Sequence, residues 1–469
     1  MRPRSLFSDT AAAENLLSPD QAKAIANKVL GMAKADETRV VIDSGWSGNT
    51  RFAGGEITTS GESNDTSITI TSTIGKRRAS ASTNVLEEES LRRTVDLAER
   101  LAKLSPEDPE IMPELGPQEY SKVSSFIDAT ANLGGESRAA AAKRVIDSAA
   151  SSGKAAGDVF VAGYLEANAG ARALANNKGL FAYHRSTDAN LSTTVRTPDG
   201  TGSGWASSGA RNWAAINPAA IGTRAAEKAV ASRNPTAIEP GMYTVVLEPQ
   251  AVADLIPLLG GAFNGRNADE GRSPFSKRGG GTKLGEKIAD ERVTIYSDPT
   301  DAELLATPFD GEGLPIQRHV WIENGVLKNL TYSRYWAQKQ GVQPTGGGGG
   351  GFGGFGGGFP GGLKMVGGNK SLDDLISGTQ RGVLITHFFY IRSLDTRTVM
   401  LTGLTRDGTF LIENGRITKA LKNFRWNESP LFMLSKIEEI GRAEPTAAGQ
   451  VMPSIRAKDF NFTSLSDAV

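Results

Sequence analysis

The spacing of apolar residues predicts helices and strands in turn along the first half of the chain. Ser18-Pro19 is a helix-start signal, and apolar residues follow at helical spacing from Ala22 to Val29. Isoleucines alternate with Thr and Ser over 66–74, which predicts a strand with one buried face. The same patterns predict helices over 87–104, 136–152 and 218–232, and strands over 38–44, 158–168, 171–175, 191–196 and 204–212. We therefore predict helices packed on an antiparallel sheet.

After Pro240 the pattern changes to shorter strands separated by turns. Asn324-Gly325 and Asn414-Gly415 each lie between apolar runs, which is typical of type I′ hairpins. Strands are predicted over 243–247, 293–297, 382–389 and 455–462 with a meander over 398–425, and short helices over 250–259, 371–378 and 430–440. The predicted fold class is α+β, in which N-terminal helices on an antiparallel sheet precede a mostly antiparallel C-terminal β domain with a curved, barrel-like sheet.

These patterns divide the chain into four segments. We expect a loose N-terminal tail (1–17), an α+β domain (18–235), a β-rich domain (236–445) and a C-terminal tail (446–469). The β-rich domain contains a Gly-rich loop, 346–362, with thirteen glycines and Phe352, Phe355 and Phe359. It lacks the Gly-Lys-Ser/Thr ending of a phosphate loop. It is either a flexible loop tip or a mobile flap whose phenylalanines contact a peptide.

Composition narrows the functional classes. Lys plus Arg equals Asp plus Glu at 52 each, so net charge is zero and indicates neither a nucleic-acid nor a membrane-surface partner. The absence of cysteine excludes disulfides, thiolate nucleophiles and Cys-ligated zinc. No apolar run approaches the roughly 20 residues of a membrane span, and the N-terminus has no secretory apolar region. We expect a soluble cytoplasmic protein.

Three stretches in the C-terminal half carry a family resemblance. They are Thr307-Pro-Phe-Asp-Gly-Glu-Gly-Leu-Pro315, Trp321-Ile-Glu-Asn-Gly-Val-Leu-Lys328 and Thr402-Gly-Leu-Thr-Arg-Asp-Gly-Thr-Phe-Leu-Ile-Glu-Asn-Gly-Arg-Ile417. In this order and spacing they resemble the TldD/PmbA family, also called the modulator-of-DNA-gyrase family. Phe52-Ala-Gly-Gly-Glu-Ile57 adds a weaker match in the N-terminal half. The resemblance covers roughly residues 18 to 442.

The resemblance implies a two-domain α+β fold whose C-terminal β domain curves around a cleft. It also implies a homodimer or a heterodimer of TldD-type and PmbA-type subunits. The TldD-type subunit is a zinc metallopeptidase that carries a His-Glu-x-x-x-His helix and trims unfolded peptides. The PmbA-type subunit lacks the zinc ligands and acts as its partner.

This chain departs from the TldD pattern where the chemistry would be. The corresponding helix carries Gln250, Asp254 and Pro257, and the chain has only three histidines. Gln is a poor zinc ligand, and one carboxylate does not make a site. The chain therefore resembles the zinc-less, PmbA/TldE-like branch. We expect no catalytic residue, no metal ligand and no cofactor in this chain, with zinc only in a TldD-like partner.

Five residues are candidates for peptide binding. His387 lies between apolar residues of a strand and is either a half-buried histidine satisfied by a backbone carbonyl or a cleft residue acting with Arg392 and Asp395. Asp310 and Glu312 form either a turn or an acidic pair at the cleft edge. Arg272 either is solvated or holds a peptide carboxylate. His184 and His319 are expected at the surface. The candidates are Arg272, Asp310, Glu312, His387 and Arg392.

The favoured hypothesis is a non-catalytic partner subunit of a metallopeptidase complex that handles unfolded peptides. It would hold an extended peptide by strand addition to a sheet edge. One alternative is a metallopeptidase in its own right, with ligands from distant parts of the chain such as His387. A second alternative is a regulatory binding protein of the gyrase-modulator type, to which zero net charge gives no support.

Overall fold

Two β-sheets, one in each half of the chain, organise the molecule. The computed structural model describes residues 16–346, 359–447 and 449–466. The first sheet has six strands and the second has eleven. No helix of the described residues is long and apolar enough to cross a membrane. The fold class is α+β, as predicted from the sequence.

The first sheet is antiparallel throughout, in the order β3-β2-β1-β4-β5-β6. Its strands alternate between apolar residues on the helix-covered face and polar residues on the other face. Leu165 and Leu191 are fully buried under the helices, whereas Asn168 and Asn190 on the opposite face are half-buried. The strands are β1 (Glu37–Ala53), β2 (Glu56–Ile74), β3 (Arg77–Thr83), β4 (Phe160–Asn176), β5 (Phe181–Arg196) and β6 (Ser203–Ala210).

Helices of the first half cover the apolar face of this sheet. Ser18 caps the first helix in a capping box with Gln21, and Pro19 occupies its first turn. Gly204 allows α5 to lie directly on β6, since a Cβ there would be 2.1 Å from the Ala225 carbonyl oxygen. The helices are α1 (Pro19–Met32), α2 (Glu88–Leu104), α3 (Asp128–Ala131), α4 (Gly135–Gly153) and α5 (Pro218–Ala231).

The second sheet is mostly antiparallel and partly closed into a ring. β7, β12, β13, β15 and β17 pair in sequence, and β17 pairs back with β7. Among the named strands of the described residues, only the β12–β7 and β11–β17 pairings are parallel. The strands are β7 (Met242–Leu247), β8 (Ile295–Ser297), β9 (His319–Glu323), β10 (Val326–Leu327), β11 (Lys364–Met365), β12 (Arg381–Asp395), β13 (Met400–Glu413), β14 (Arg416–Ala420), β15 (Asn423–Glu428), β16 (Ile437–Pro445) and β17 (Val451–Ser466).

Short helices accompany this ring, and aromatic residues fill its core. Fully buried Phe424, Trp426, Phe460 and Phe462 belong to one apolar cluster with residues of β7, β12 and β13. Both Asn-Gly hairpins are confirmed, because their Asn and Gly residues all have positive φ. The helices are α6 (Pro249–Leu255), α7 (Gly265–Asp269), α8 (Arg334–Gln340), α9 (Leu372–Ser377) and α10 (Pro430–Ser435).

The structure corrects the prediction near the C-terminus. The helix predicted over 430–440 ends at Ser435, because Ile437–Pro445 pairs with β17 as a strand. The segment described as a C-terminal tail contributes Val451–Ser466, a strand longer than the predicted 455–462. It pairs with four other strands, so it is integral to the second sheet.

The Gly-rich loop and the N-terminal tail lie largely outside the described residues. Residues 1–15 of the tail are outside the described residues. So are residues 347–358 of the loop, which include Phe352 and Phe355. Phe359 is described: it is 7% exposed and packs against Phe263 and Trp321. Its side chain belongs to the core, so it is not the peptide-contacting flap residue that one interpretation required.

Candidate functional site

The helix that the sequence resemblance aligns with the His-Glu-x-x-x-His helix is α6. Pro249 starts it, and Ala251, Val252 and Leu255 are buried in the core of the second sheet. Pro257 follows in a 3₁₀ turn, Ile256–Leu259, so α6 ends after two turns. Gln250 and Asp254, one turn apart, hydrogen-bond to each other.

The polar atoms of this pair are occupied by protein donors and acceptors. Gln250 Nε2 donates to Asp254 Oδ1 at 2.8 Å, and the Phe388 N–H donates to Asp254 Oδ2 at 2.8 Å. The Ala447 N–H donates to Gln250 Oε1 at 3.1 Å. Burial raises the pKa of Asp254, partly opposed by the charge of His387. The pair therefore ties α6 to β12 and to the segment after β16.

His387 is buried beside this helix and pairs with Asp407 of β13. Its Nε2 lies 3.0 Å from Asp407 Oδ2, and its Nδ1 lies 3.1 Å from the Phe388 carbonyl oxygen. Its ring contacts the Trp205 ring at a centroid distance of 4.6 Å. His387 therefore has the carbonyl partner expected of a buried histidine and, in addition, a carboxylate partner.

Asp407 also accepts a hydrogen bond from the first half of the chain, through Ser203 Oγ. Burial alone would raise the pKa of Asp407, but hydrogen bonds and the charges of His387 and Arg406 outweigh it and hold the pKa below its usual value. Ser203 donates to the carboxylate and not to the imidazole. This arrangement is not a serine nucleophile activated by a histidine base.

Lys228 of α5 and Glu248 form a second contact between the two halves of the chain. Lys228 Nζ lies 2.7 Å from Glu248 Oε2 and donates to the Trp205 carbonyl oxygen at 3.2 Å. Both side chains are nearly inaccessible. Burial lowers the pKa of Lys228, and the charge and hydrogen bond of Glu248 oppose that shift. A buried ion pair thus adjoins the start of α6.

A cavity of about 390 Å³ adjoins Ser203 and Asp407. Its volume is within the range of small-ligand pockets in proteins. Hydroxyl, amide and carboxylate groups of both halves line it: Thr201, Ser203, Ser232, Asp407, Thr409 and Asn423. It is an open recess of mixed polar and apolar surface where the two halves meet.

These residues do not fit a catalytic zinc ion. Zinc needs three protein ligands from His, Cys or carboxylate side chains. In the described parts of the chain, no three such side chains are grouped to hold a metal ion. The oxygens of Gln250 and Asp254 are taken by protein donors. No step of a reaction is therefore assigned to a metal on this chain.

Asp310 and Glu312 lie in a turn, which was one of the two interpretations of these residues. The Asp310 carboxylate accepts from the backbone N–H groups of Glu312 and Leu314, at 2.8 and 3.0 Å. Glu312 lies 3.4 Å from Arg334 Nη1. These contacts account for both acidic residues structurally, and their role in peptide binding stays a prediction.

Arg272 and Arg392 are exposed and pair with residues close to them in sequence. Arg272 pairs with Glu270, two residues before it. Arg392 stacks on Tyr390 at 4.3 Å, and Asp395 instead closes a turn through Thr398. Among the described residues, neither Arg392 nor Asp395 hydrogen-bonds to His387.

The expectation that His184 is a surface residue is wrong. His184 is 7% exposed, and its Nε2 lies 2.8 Å from Ser125 Oγ. Burial, with a contribution from the charge of Arg211, lowers its pKa to about 4. His319 is half-buried and contacts Trp321. Loops of the chain cover both histidines, which strand periodicity alone does not show.

Sequence reasoning missed Ser203, Trp205 and Lys228, and did not single out Asp407. Three of them come from the first half of the chain and reach the site through tertiary packing. Asp407-Gly408 carried a signal, because the dipeptide interrupts an alternating strand pattern, and both residues have positive φ.

Comparison with known proteins supports the family resemblance. Family models described as PmbA/TldA metallopeptidase domain 1, central domain and C-terminal domain match residues 39–102, 84–233 and 240–464. A metalloprotease from Methanothermobacter thermautotrophicus is 29% identical over 227 residues, 47% of each chain. The matched region thus spans less than half the length of this relative.

Two solved structures have the same fold over nearly the whole chain. TldE from Thermococcus kodakarensis has a TM-score of 0.80 at 21% identity, with 94% of this chain and 99% of that chain covered. A proposed modulator of a DNA gyrase from Thermotoga maritima MSB8 has a TM-score of 0.81 at 23% identity, with 94% and 100% covered. The three domain models together cover most of the sequence, and on that evidence this chain belongs to the PmbA/TldD metallopeptidase family.

Proposed function

We propose that this chain is a zinc-less subunit that assists proteolysis by a TldD-like metallopeptidase partner. The observation that carries the proposal is the hydrogen-bonded pair Gln250–Asp254 on α6. Where a metallopeptidase of this family would present zinc ligands, this chain has two side chains that satisfy each other. The helix is retained as a structural element, and the catalytic zinc belongs to the partner.

The chain's own contribution would be to hold unfolded peptide. Two features support this role. The cavity beside Asp407 offers hydrogen-bonding groups from both halves of the chain next to apolar surface. The edge of β2 from Glu56 to Ser67 extends beyond its β3 partner, which begins pairing at Ile68, so its backbone can accept an added strand. Backbone pairing suits unfolded peptides, because it does not depend on sequence.

The assembly we propose is a heterodimer with a TldD-like subunit or a homodimer, in the cytoplasm. Charge gives no reason to add nucleic acid or membrane to the partners, since positive and negative residues are equal in number. A gyrase-modulating role finds no supporting feature in the described residues.

The test is reconstitution. The purified chain is assayed for peptidase activity on an unfolded peptide, alone and mixed with a paralogue that carries the His-Glu-x-x-x-His helix. We expect chelator-sensitive cleavage only in the mixture, and no stoichiometric zinc in this chain by metal analysis. A control mixture uses the paralogue with its motif Glu replaced by Gln.

Stoichiometric zinc together with chelator-sensitive cleavage by this chain alone would refute the proposal. It would support the alternative of a metallopeptidase with ligands from distant parts of the chain. A mixture no more active than the paralogue alone would remove the assisting role.

A further inference from the structure

Arg211, at the end of β6, is a buried cation whose hydrogen-bonding groups are mostly unpaired. It is 7% exposed. Its Nε and Nη2 find no hydrogen-bond partner among the described residues. The remaining contact is a long one, 3.4 Å from Nη1 to the Ser124 carbonyl oxygen. A guanidinium has five N–H donors, so this one is poorly satisfied.

No neighbouring carboxylate of the described residues is committed to this cation. Asp301 is the acidic residue whose charge acts on Arg211. Asp301, however, accepts from Tyr296 at 3.0 Å and pairs with Lys364 at 3.3 Å. Asp188, on the same face of the first sheet, accepts from Asn168 at 3.0 Å.

Neutral His184 does not offset the charge either. Its pKa is lowered to about 4 by burial and by Arg211 itself, so at neutral pH it carries no charge. An unpaired charge taken out of water is unfavourable. A buried guanidinium with unpaired N–H donors is suited to binding an anion.

The position of Arg211 in the fold indicates which kind of anion it would bind. It follows the edge strand β6, on the polar face of the first sheet that meets the second half of the chain. The contacts Asn190 to the Ala447 carbonyl oxygen and Trp205 to His387 lie on this face. Arg211 therefore lies on the side of the first sheet that faces the second half, where the terminal carboxylate of a peptide entering between the halves can pair with it.

We propose that Arg211 binds the C-terminal carboxylate of an unfolded peptide held between the two halves of the chain. The inference rests on the proposed function and adds to it a preference for a free carboxyl end. A carboxylate replaces the long Ser124 contact with charge-assisted, two-pronged hydrogen bonds, which are shorter and stronger. Ser124 lies in the irregular segment 113–127, which must shift to admit the ligand.

Binding of three fluorescently labelled peptides to the purified chain tests the inference. All have the same short, uncharged, unstructured sequence: one ends in a free carboxylate, one in an amide, and one ends in an amide but has an internal Glu. We expect the free carboxylate to bind about tenfold or more tightly than the amide, as a charged hydrogen-bonded pair warrants. The internal Glu peptide should bind like the simple amide.

Variants assign the effect to one side chain. Arg211→Gln should remove the preference for the free carboxylate and leave affinity for the amide unchanged. Arg172→Gln is the matched control, because Arg172 is a half-exposed arginine of the same face that is already paired with Asp43 at 3.4 Å. It should leave the preference intact.

Equal binding of the carboxylate and amide peptides by the unmodified chain would overturn the inference while the proposed function stands. Binding of the internal Glu peptide as tightly as the free carboxylate would overturn it too. Failure of all three peptides to bind would instead refute peptide holding, and the inference with it.

Thermal unfolding separates binding from a structural role. If Arg211 is an unpaired cation, Arg211→Gln should unfold at the same temperature as the unmodified chain or higher. A fall of several degrees would show that Arg211 is needed for folding, and would overturn the inference. The peptide comparison on the unmodified chain requires no variant and stands if Arg211→Gln does not fold.

Discussion

Burial of the His184 side chain makes the stability of the chain depend on pH. Its pKa in the folded chain is about 4, against about 6.5 in an unfolded chain. The unfolded chain therefore binds a proton that the folded chain rejects. Stability is fully present above pH 6.5 and is lost as the pH falls from 6.5 towards 4. At about 1.4 kcal/mol per tenfold change in proton affinity, the loss is about 3 kcal/mol.

Urea unfolding of the chain and of His184→Gln at several pH values measures this dependence. Gln is uncharged and retains a hydrogen-bonding group for Ser125 Oγ. We expect the difference in unfolding free energy between the two chains to change by about 3 kcal/mol between pH 7 and pH 4, in favour of the variant at low pH. A difference that is constant with pH would contradict the prediction.

The hairpin between β9 and β10 depends on Gly325 for two reasons. Its φ is +78°, and a Cβ at that position would be 2.4 Å from the Ala289 carbonyl oxygen. Gly341, at the end of α8, has a φ of +67° but open space around it. The two glycines share the left-handed backbone and differ in packing.

We therefore expect Gly325→Ala to destabilise more than Gly341→Ala. Gly341→Ala should lower the free energy of unfolding by about 1–2 kcal/mol, from backbone conformation alone. Gly325→Ala should lower it further, because the backbone at Ala289 must also be displaced. Chemical denaturation of both variants measures this. Equal losses would show that the turn can move to accommodate the methyl group.

Local signals account for the elements that the sequence predicted well. The Ser18 cap and both Asn-Gly turns involve neighbouring residues, so they are visible in the sequence. The predicted strands 158–168 and 171–175 form one strand, β4, because pairing with β1 and β5 continues across Gly170. The helix predicted to 440 stops early because β17 supplies strand pairing from far along the chain.

The candidate site was less predictable for the same reason. The resemblance indicated the helix that carries Gln250 and Asp254, and the apolar pattern around His387 made a half-buried histidine one of its two interpretations. Its partner Asp407 lies on the neighbouring strand β13. Ser203, Trp205 and Lys228 belong to the other half of the chain, and no periodicity within one segment indicates which distant side chains will meet.

The two halves of the molecule are joined by ion pairs of very different burial. Lys228 pairs with Glu248 where both side chains are nearly inaccessible, at 12% and 9% exposure. Arg224, one turn earlier on α5, pairs with Glu444 where both are about half exposed. Removal of one partner from a buried pair costs about 3–5 kcal/mol, because the other charge is left unpaired. An exposed pair contributes about 0–1 kcal/mol.

Lys228→Met should therefore destabilise the chain by about 3–5 kcal/mol, and Arg224→Met by less than about 1 kcal/mol. Calorimetry of both variants measures the loss, and shows whether the two halves of Lys228→Met unfold in separate transitions. The double variant Lys228→Met/Glu248→Gln should recover part of the loss. Equal effects at the two sites would contradict the burial argument.

The pairing of β17 with β7 has a consequence for how the protein is made. Ile455 lies opposite Leu247, so contacts that close the ring join residues about two hundred positions apart. Such distant contacts form slowly, because a long loop must close first. During translation, the edges of β7 and β15 that pair with β17 stay unpaired until β17 leaves the ribosome. This interval is when the nascent polypeptide is most exposed to aggregation and most in need of a chaperone.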